Sequence, residues 1–318
     1  MPRRLGLPSV YLAAALATSA TAAATTVPLA MTPASGLASR LAPSEPTRPY
    51  VVTARNRVAA RDLVGEVRWR VRRYYTAALP GFATFLTADE LAELRADPRV
   101  SAIEPDHQIL PMPIAAPARP LPGRGGGRGT TVYVVDSGTD PGRAPFADRV
   151  WRAFDATGGT GRDCAGHGTR AARLAHAAAP RAGIASVRVL GCGGSGTLAD
   201  VLAGLDWIHR HARGPAVASL GIDGAGSPAL DAAVRALVRS GVFVVAAADA
   251  SGCRVVPGGA AYSAHAPHLA GVAARHLERH PSAQPLVVAS WLKCAAARGL
   301  IDENPSGASD LLMRNGGQ

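Results

Sequence analysis

Residues 131–138 read Thr-Val-Tyr-Val-Val-Asp-Ser-Gly and decide the fold class. The first five of them are β-branched or aromatic, which predicts a short buried strand. The strand ends at Asp136, and open α/β sheets place their functional groups at the carboxyl ends of strands. Asp136 is therefore a candidate site residue, although an aspartate before Ser-Gly is also a common turn former.

The rest of the C-terminal half alternates between buried strands and amphipathic helices. Further strands are predicted at 185–190 and 242–248. One helix begins at Ser227-Pro228 and ends at Gly241, and apolar residues at helical spacing indicate another. Those residues are Leu198, Val201, Leu202, Leu205 and Ile208. This alternation predicts an α/β fold with a mainly parallel sheet and helices on both faces.

A histidine lies between two glycines in the motif Asp163-Cys-Ala-Gly-His167-Gly-Thr. Glycine allows unusual backbone dihedrals and the close approach of another segment. Imidazole takes up and returns a proton near neutral pH, so His167 is a candidate general base. By itself this motif is weak evidence for a catalytic histidine, and the residues upstream and downstream of it strengthen the case.

The downstream residue is Ser263, which precedes a run of small residues at 264–274. That run predicts a helix with Pro267 close enough to its start to be tolerated. The serine hydroxyl would lie at the positive end of this helix, which favours developing negative charge, although serine there is also a common N-cap. Asp136, His167 and Ser263 follow one of the chain orders that catalytic triads use.

Four segments together resemble the subtilase family of serine proteases, specifically its secreted proteinase K and aqualysin-like branch. They are Val132–Gly138, Asp163–Thr169, Val187–Gly196 and Ala266–Gly271. The resemblance extends from about Gly129 to the C terminus and implies a subtilisin-like fold and hydrolysis of peptide bonds. In the implied triad the Ser263 hydroxyl attacks the peptide carbonyl, His167 accepts its proton and Asp136 holds the imidazole.

The resemblance also concerns the cleft and the cysteines. It implies that Ser219-Leu220-Gly221 belongs to the strand that binds substrate, and that Cys164 and Cys192 form a disulfide. Cys253 and Cys294 match no known pair, and spacing alone leaves them either paired with each other or free. Export would make disulfides plausible for all four cysteines.

Two departures from the family pattern bear on activity. The family places an asparagine that donates to the oxyanion at the position of Asp249, and an ionised carboxylate cannot donate. Losing one such donor costs about 100- to 1,000-fold in kcat. Only thirteen residues, 250–262, separate Asp249 from Ser263, where the family builds the floor of its specificity pocket. A non-catalytic homologue with a degraded cleft is therefore the alternative to an active endopeptidase.

The N terminus has the layout of a secretory signal. Arg3-Arg4 is followed by an apolar stretch from Leu5 to Ala17 and then by small residues up to Ala24. We expect residues 1–24 to be a signal peptide that is removed, which places the protein outside the cell. The alternative is a membrane anchor, but the apolar stretch is short for a span, so no membrane association is expected. The Pro-, Ala- and Ser-rich residues 25–48 are expected to be a flexible leader.

Residues 49–110 predict a small α+β domain. Strands are expected at Tyr50–Thr53, near Tyr74-Tyr75, at 81–86 and at 100–103, with helices at 59–72 and after the capping box at Thr87. This order suggests a ferredoxin-like unit. The residues at 80–83 and 94–106 resemble the inhibitory propeptide of the same proteases, which implies a domain that assists folding and lays its C-terminal tail through the cleft. A Pro/Gly-rich linker at 111–128 would then precede a shortened peptidase domain at 129–318.

Composition narrows the partners. The formal net charge is +11, but a single lysine, Lys293, occurs among 34 basic residues and the arginines are scattered, so nucleic-acid binding is not expected. We expect a monomer. We also expect no cofactor or metal: His265 and His268 have the spacing of a metal pair, but His268 matches the structural Pro-His of the family, and no carboxylate-rich calcium loop is visible. The expected partners are a peptide substrate and the chain's own propeptide as an intramolecular inhibitor.

Overall fold

The computed structural model describes residues 46–67, 70–114, 125–143, 146, 148–223, 226–247, 254–256, 260–263 and 265–297. The described chain starts with a small α+β domain, which we call the prosegment, and continues into a larger α/β domain.

The prosegment is an antiparallel sheet with two helices. Its elements are β1 (Arg48–Ala54), α1 (Arg57–Val67), β2 (Val71–Tyr75), β3 (Gly81–Leu86), α2 (Ala88–Ala96) and β4 (Val100–Pro105). The strand order is β2-β3-β1-β4, which is ferredoxin-like. The capping box forms as expected, with the Thr87 side chain accepting from Glu90 N and the Glu90 carboxylate accepting from Thr87 N.

One prediction for this domain needs correction. Helical spacing suggested a helix over 59–72, whereas α1 ends at Val67 and Val71 begins strand β2. The β-branched and aromatic residues of β2 pair with β3, and Tyr75 is buried and donates a hydrogen bond to the Ala199 carbonyl in the larger domain. Tertiary pairing therefore outweighs the local apolar spacing.

The larger domain is organised around a seven-stranded sheet of order β12-β13-β11-β10-β6-β8-β7. Its strands are β6 (Thr131–Asp136), β7 (Val150–Asp155), β8 (Gly183–Arg188), β10 (Ala216–Leu220), β11 (Phe243–Ala247), β12 (Arg254–Val256) and β13 (Ala260–Ser263). All pairs are parallel except β12 with β13. A separate two-stranded sheet joins β5 (Gln108–Ile109) to β9 (Gly196–Thr197).

Helices cover both faces of this sheet, as predicted. They are α3 (His167–Ala178), α4 (Leu198–His211), α5 (Pro228–Arg239), α6 (Ala266–Arg279) and α7 (Pro285–Ala297). α4 and α5 contribute to one apolar core, whereas α3, α6 and α7 contribute to the core on the opposite face. The five apolar residues predicted on one face of α4 are all buried.

Helices α3 and α6 pack closely because small residues line their contact. A Cβ built on Gly271 of α6 would lie 2.5 Å from the Ala175 carbonyl oxygen of α3 and 2.6 Å from Ala178 Cβ. Arg173, also on α3, is exposed and leaves this contact free. The helix that follows Ser263 is thereby fixed against the helix that begins at His167.

The prosegment docks on the face formed by α4 and α5. Its residues Val51, Tyr75 and Leu79 are buried in the same apolar cluster as those two helices. Glu104 accepts from Ser227 Oγ and Ala229 N, both at 2.8 Å, at the start of α5. At the start of α4, a second prosegment carboxylate, that of Asp106, accepts from the Ala199 amide at 2.8 Å. Each carboxylate meets the positive end of a helix, where negative charge is stabilising.

Candidate active site

The structure brings together the predicted acid and the predicted base. His167 Nδ1 lies 2.8 Å from Asp136 Oδ1 and 2.9 Å from Oδ2. Asp136 is the last residue of β6 and has no exposed surface, while His167 is the first residue of α3. The carboxyl end of a central strand and the start of a helix therefore meet as the sequence pattern predicted.

The electrostatic surroundings favour a proton on this pair. Burial raises the pKa of Asp136, although the His167 ring and the Ser137 amide offset part of this effect. For His167, burial alone would lower the pKa, but the hydrogen bond and charge of Asp136 and the Met112 carbonyl raise it above its ordinary value. Protonation of the imidazole is thus stabilised by a carboxylate that water does not reach.

The second ring nitrogen of His167 is occupied by the chain itself. Nε2 lies 2.8 Å from the carbonyl oxygen of Met112. Because a carbonyl oxygen can only accept, Nε2 carries the hydrogen. In this arrangement the ring has no free lone pair to take a proton from a hydroxyl.

Ser263 is not joined to the other two candidate residues. It is 5% exposed at the end of β13, and its Oγ accepts from the His265 amide at 3.0 Å. No hydrogen bond links Ser263 to His167, and both of these residues belong to the described part of the chain. The helix begins at Ala266, with His265 as its N-cap and Pro267 in its first turn, and so starts two residues later than the predicted run at 264–274. The hydroxyl still lies at the N-terminal end of this helix, because it accepts from the amide of the N-cap residue.

Residues 108–112 form an extended tail that lies along the cleft. Gln108–Ile109 pairs with β9, and further along the Met112 amide donates to the Gly221 carbonyl at 3.0 Å. The Asp223 amide donates to the Leu110 carbonyl at 2.8 Å. The tail is thus held as an added antiparallel strand on both sides, which is a common mode of peptide binding.

Of the residues assigned to the substrate strand, Gly221 contacts the tail, while the backbone of Ser219 and Leu220 is paired with β6 and β11 inside the sheet. The tail also pairs with Ile222 and Asp223, which sequence reasoning did not name. The assignment of residues 219–221 to substrate binding stays a prediction. The propeptide resemblance predicted a tail in the cleft, but no local sequence signal sets its register, because the register depends on where β10 leaves the sheet.

A disulfide fixes the segment that precedes His167. Cys164 and Cys192 are bonded, as the resemblance implied. The buried Arg188 guanidinium donates to both sulfurs, at 3.5 Å and 3.4 Å, and to the Asp155 carboxylate at 3.4 Å. This bond connects the loop before α3 to the chain that leaves β8.

Several predicted features fall outside the described residues. They are the signal peptide at 1–24, most of the leader at 25–48, part of the linker at 111–128, Asp249, Cys253 and the side chain of Cys294. Within the described ranges, no group of three or more His, Cys, Asp or Glu side chains is arranged to hold a metal ion. No described helix is both long enough and apolar enough to span a bilayer.

Comparisons with known proteins match both domains. The family model for peptidase inhibitor I9 matches residues 36–110. An extracellular serine proteinase of Thermus sp. (strain Rt41A) is 39% identical over 200 residues, which cover 56% of this chain and 49% of that protein. Alkaline serine exoprotease A of Vibrio alginolyticus is 29% identical over 320 residues, covering 76% of this chain and 60% of that protein. The chain therefore spans about half to three fifths of the length of these relatives.

Solved structures agree on the fold. A cold adapted subtilisin-like serine proteinase superposes with a TM-score of 0.50 at 26% identity, covering 58% of this chain and 91% of that one. Fervidolysin from Fervidobacterium pennivorans, a keratinolytic enzyme related to subtilisin, superposes with a TM-score of 0.59 at 16% identity, covering 79% of this chain and 57% of that one. The chain is thus related to the subtilisin-like serine proteases and carries a peptidase inhibitor I9 domain ahead of its subtilisin-like fold.

Proposed function

We propose that the protein is a serine endopeptidase, exported and made as a latent precursor, which hydrolyses peptide bonds with Asp136, His167 and Ser263. The observation that carries the proposal is the buried Asp136–His167 pair facing a peptide strand bound in the cleft. A carboxylate, an imidazole and a docked peptide carbonyl form the part of a hydrolytic site that positions and transfers a proton. The relatives that are named proteinases support the same reaction class.

In the proposed reaction His167 Nε2 takes the proton of the Ser263 hydroxyl as the oxygen attacks the substrate carbonyl. Asp136 stabilises the resulting imidazolium, and Nε2 returns the proton to the leaving amine. The backbone amide of Ser263 donates to the oxyanion, while Asp249 assists only when protonated. The reaction requires Ser263 Oγ to give up its bond from His265 and turn towards the imidazole.

The prosegment supplies the latency. Its tail places a carbonyl on the nitrogen that has to accept the serine proton, so the base is blocked while the tail is bound. Carboxylates of the prosegment bind the starts of α4 and α5 and hold the domain in register. We propose removal of residues 1–24 on export and cleavage of the prosegment between Glu104 and Gly129.

One observation favours a second candidate, a non-catalytic homologue that binds peptides. The Ser263 hydroxyl is bound within its own turn and not to His167. The short interval between Asp249 and Ser263 points the same way. In that case the Asp136–His167 pair would be inherited, and the cleft would hold a peptide without cutting it.

A fluorophosphonate probe separates the two candidates because it labels only an activated serine. After removal of the prosegment we expect one covalent label, mapped by mass spectrometry to Ser263 and absent in Ser263→Ala. The matched control is Ser290→Ala, which removes an exposed hydroxyl that donates to the Leu286 carbonyl of α7 and should leave labelling unchanged. An unlabelled Ser263 in the folded mature protein would contradict the endopeptidase proposal.

Self-processing gives a second test that needs no substrate. Expressed with its N terminus intact, the parent chain should accumulate outside the cell at the size of the mature domain. Ser263→Ala should be exported at the size of the precursor, because nothing cuts its tail. Equal sizes for the two proteins would show that maturation does not depend on this serine.

A further inference from the structure

The Asp163 carboxylate is 2% exposed and accepts five hydrogen bonds. Its Oδ1 accepts from Ser137 Oγ at 2.9 Å, from Ala165 N at 3.1 Å and from Gly166 N at 2.8 Å. Its Oδ2 accepts from Thr169 N at 2.8 Å and from Thr169 Oγ1 at 2.6 Å. The Asp163 side chain thus connects the turn before His167 to the first turn of α3 by hydrogen bonds.

Ser137 extends this network to the acid. Its Oγ accepts from the Gly168 amide at 2.9 Å, while its own amide donates to Asp136 Oδ1 at 2.7 Å. Gly168 directly follows His167, and Ser137 directly follows Asp136. The residues next to the acid and the base are therefore joined by a hydrogen bond that runs beside the Asp136–His167 contact.

Among the described residues, the side chains of Asp163 and Ser137 are what accept from these amides at the start of α3. Its N-cap is Gly166, which has φ 85° and no side chain to accept a hydrogen bond. The amides of the first turn of a helix lack intrahelical partners, and burying them unpaired is costly. The start of α3 also packs tightly against the turn after β6, since a Cβ on Gly168 would lie 2.1 Å from the Gly138 carbonyl oxygen.

We propose that Asp163 and Ser137 are positioning residues that tie the start of α3 to the turn after β6 and so hold His167 Nδ1 on Asp136. Neither residue has to touch the substrate, and the catalytic consequence rests on the endopeptidase function proposed above. A displacement of about 1 Å in a reacting group costs on the order of a hundredfold in rate. Loosening the start of α3 would displace His167 and should therefore lower kcat.

The charge of Asp163 adds to its geometric role. Burial would raise the pKa of this carboxyl, but the hydrogen bonds from Thr169, Gly166 and Ser137 outweigh burial and lower it. Asp163 is therefore ionised near neutral pH, and its charge contributes to the raised pKa of His167.

The test compares Asp163→Asn with Asp97→Asn. Asp97, at the end of α2, is the control because its carboxylate also accepts from a backbone amide and a side chain, both of Arg99, and its described hydrogen bonds stay within the prosegment. In full-length chains carrying Ser263→Ala, the proton between His167 Nδ1 and Asp136 should give a far-downfield proton NMR signal. We expect Asp163→Asn to shift or broaden that signal and to lower the pKa of His167, and Asp97→Asn to leave both unchanged.

A second variant, Ser137→Ala, keeps the proposal testable if Asp163→Asn fails to fold. Ser137→Ala removes one hydroxyl and should alter the same NMR signal. In otherwise intact protein it should lower kcat about 10- to 100-fold with little change in KM. If both variants keep the parent signal and the parent pKa of His167, the positioning role is wrong.

The NMR readout also distinguishes this proposal from the proposed function. Should Ser263 fail to react with the fluorophosphonate probe while Asp163→Asn still displaces the Nδ1 signal, the endopeptidase function fails and the positioning role stands. Should the probe react equally in Asp163→Asn and in the parent, with an unaltered signal, the positioning role fails alone.

Discussion

Helices α3 and α6 pack against each other, yet their histidines have opposite surroundings. His167 on α3 faces the Asp136 carboxylate, which raises its pKa. On α6, burial lowers the pKa of His268 and of His276 to about 4, and neighbouring cationic or histidine side chains add to the effect. Both ring nitrogens of His276 are buried and have no hydrogen-bond partner among the residues that the structure describes, and the ring stacks on Trp291.

The two halves of the candidate site also differ, in how their side chains are hydrogen-bonded. The half with Asp136 and His167 is cross-linked by side-chain hydrogen bonds to the backbone of both elements. In the half that contains Ser263, the bond that the hydroxyl makes within the described part of the chain comes from the His265 amide of its own turn. In the proposed reaction the Asp136–His167 pair is preorganised, whereas Ser263 has to rearrange before it can attack. The following predictions probe each half.

The largest expected effect comes from the ordered half. Asp136→Asn should lower kcat on a peptide substrate about 10,000-fold at neutral pH, because an amide can neither fix the Nδ1–H tautomer nor balance an imidazolium. Asp231→Asn, at an exposed position in the first turn of α5, is the matched control and should keep the parent kcat. A loss below tenfold for Asp136→Asn would mean that this pair does not act in the reaction.

Asp249→Asn tests whether the serine half lacks an oxyanion donor. This prediction rests on the sequence alone, since Asp249 lies outside the described residues. Restoring a neutral donor should raise kcat about 100-fold or more, with KM nearly unchanged. Asp249→Leu, which removes the charge without adding a donor, serves as the control. Equal kcat values for the two variants would attribute any gain to charge removal and not to donation.

Gly271→Ala disturbs the contact that joins the two halves. The added methyl would lie 2.5 Å from the Ala175 carbonyl oxygen, so α3 and α6 would have to separate. We expect the free energy of unfolding, measured by chemical denaturation, to fall by about 1–3 kcal/mol. The control, Gly65→Ala in α1, has no atom within 4 Å of the new methyl and should gain about 0.5–1 kcal/mol. A neutral Gly271→Ala would show that the helices can adjust their spacing freely.

The smallest effect is a pH dependence from α6. Between pH 6.5 and about pH 4 the unfolded chain takes up a proton at His276 that the folded chain does not, so the free energy of unfolding falls as pH falls. The slope approaches about 1.4 kcal/mol per pH unit for each such histidine. His276→Phe should remove its share of this slope, while measurements above pH 7.5 isolate the packing effect of the substitution. If the free energy of unfolding had the same pH slope in parent and variant, His276 would not be neutral and buried in the folded chain.

The sign is opposite for His167. Its raised pKa stabilises the folded chain at low pH, and this contribution is lost as pH rises through the raised value. Histidine content alone therefore does not set the acid sensitivity of this protein, because a nearby carboxylate reverses the direction.

Most of the fold could be predicted from the sequence because each pattern used involves residues that are close together in the chain. The β-branched run at 131–136, the apolar spacing of α4 and the capping box at Thr87 each depend on residues close together in the chain. The helix expected to reach Arg72 ended at Val67 because pairing between distant strands decided that boundary. The start of α6 moved in the same way, because the chain continued as strand β13 up to Ser263.

The sequence by itself determined which chemical groups are present and on which elements: an acid after β6, an imidazole opening α3, a serine before α6 and an inhibitor-like domain ahead of them. Only the tertiary structure decided which of these groups meet. Asp136 and His167 touch because the ends of β6 and α3 are tied by Ser137 and Asp163, whereas Met112 reaches Nε2 because the tail pairs with 221–223. Hydrogen bonds between segments distant in sequence fix such contacts, and no local pattern of residue types encodes their register.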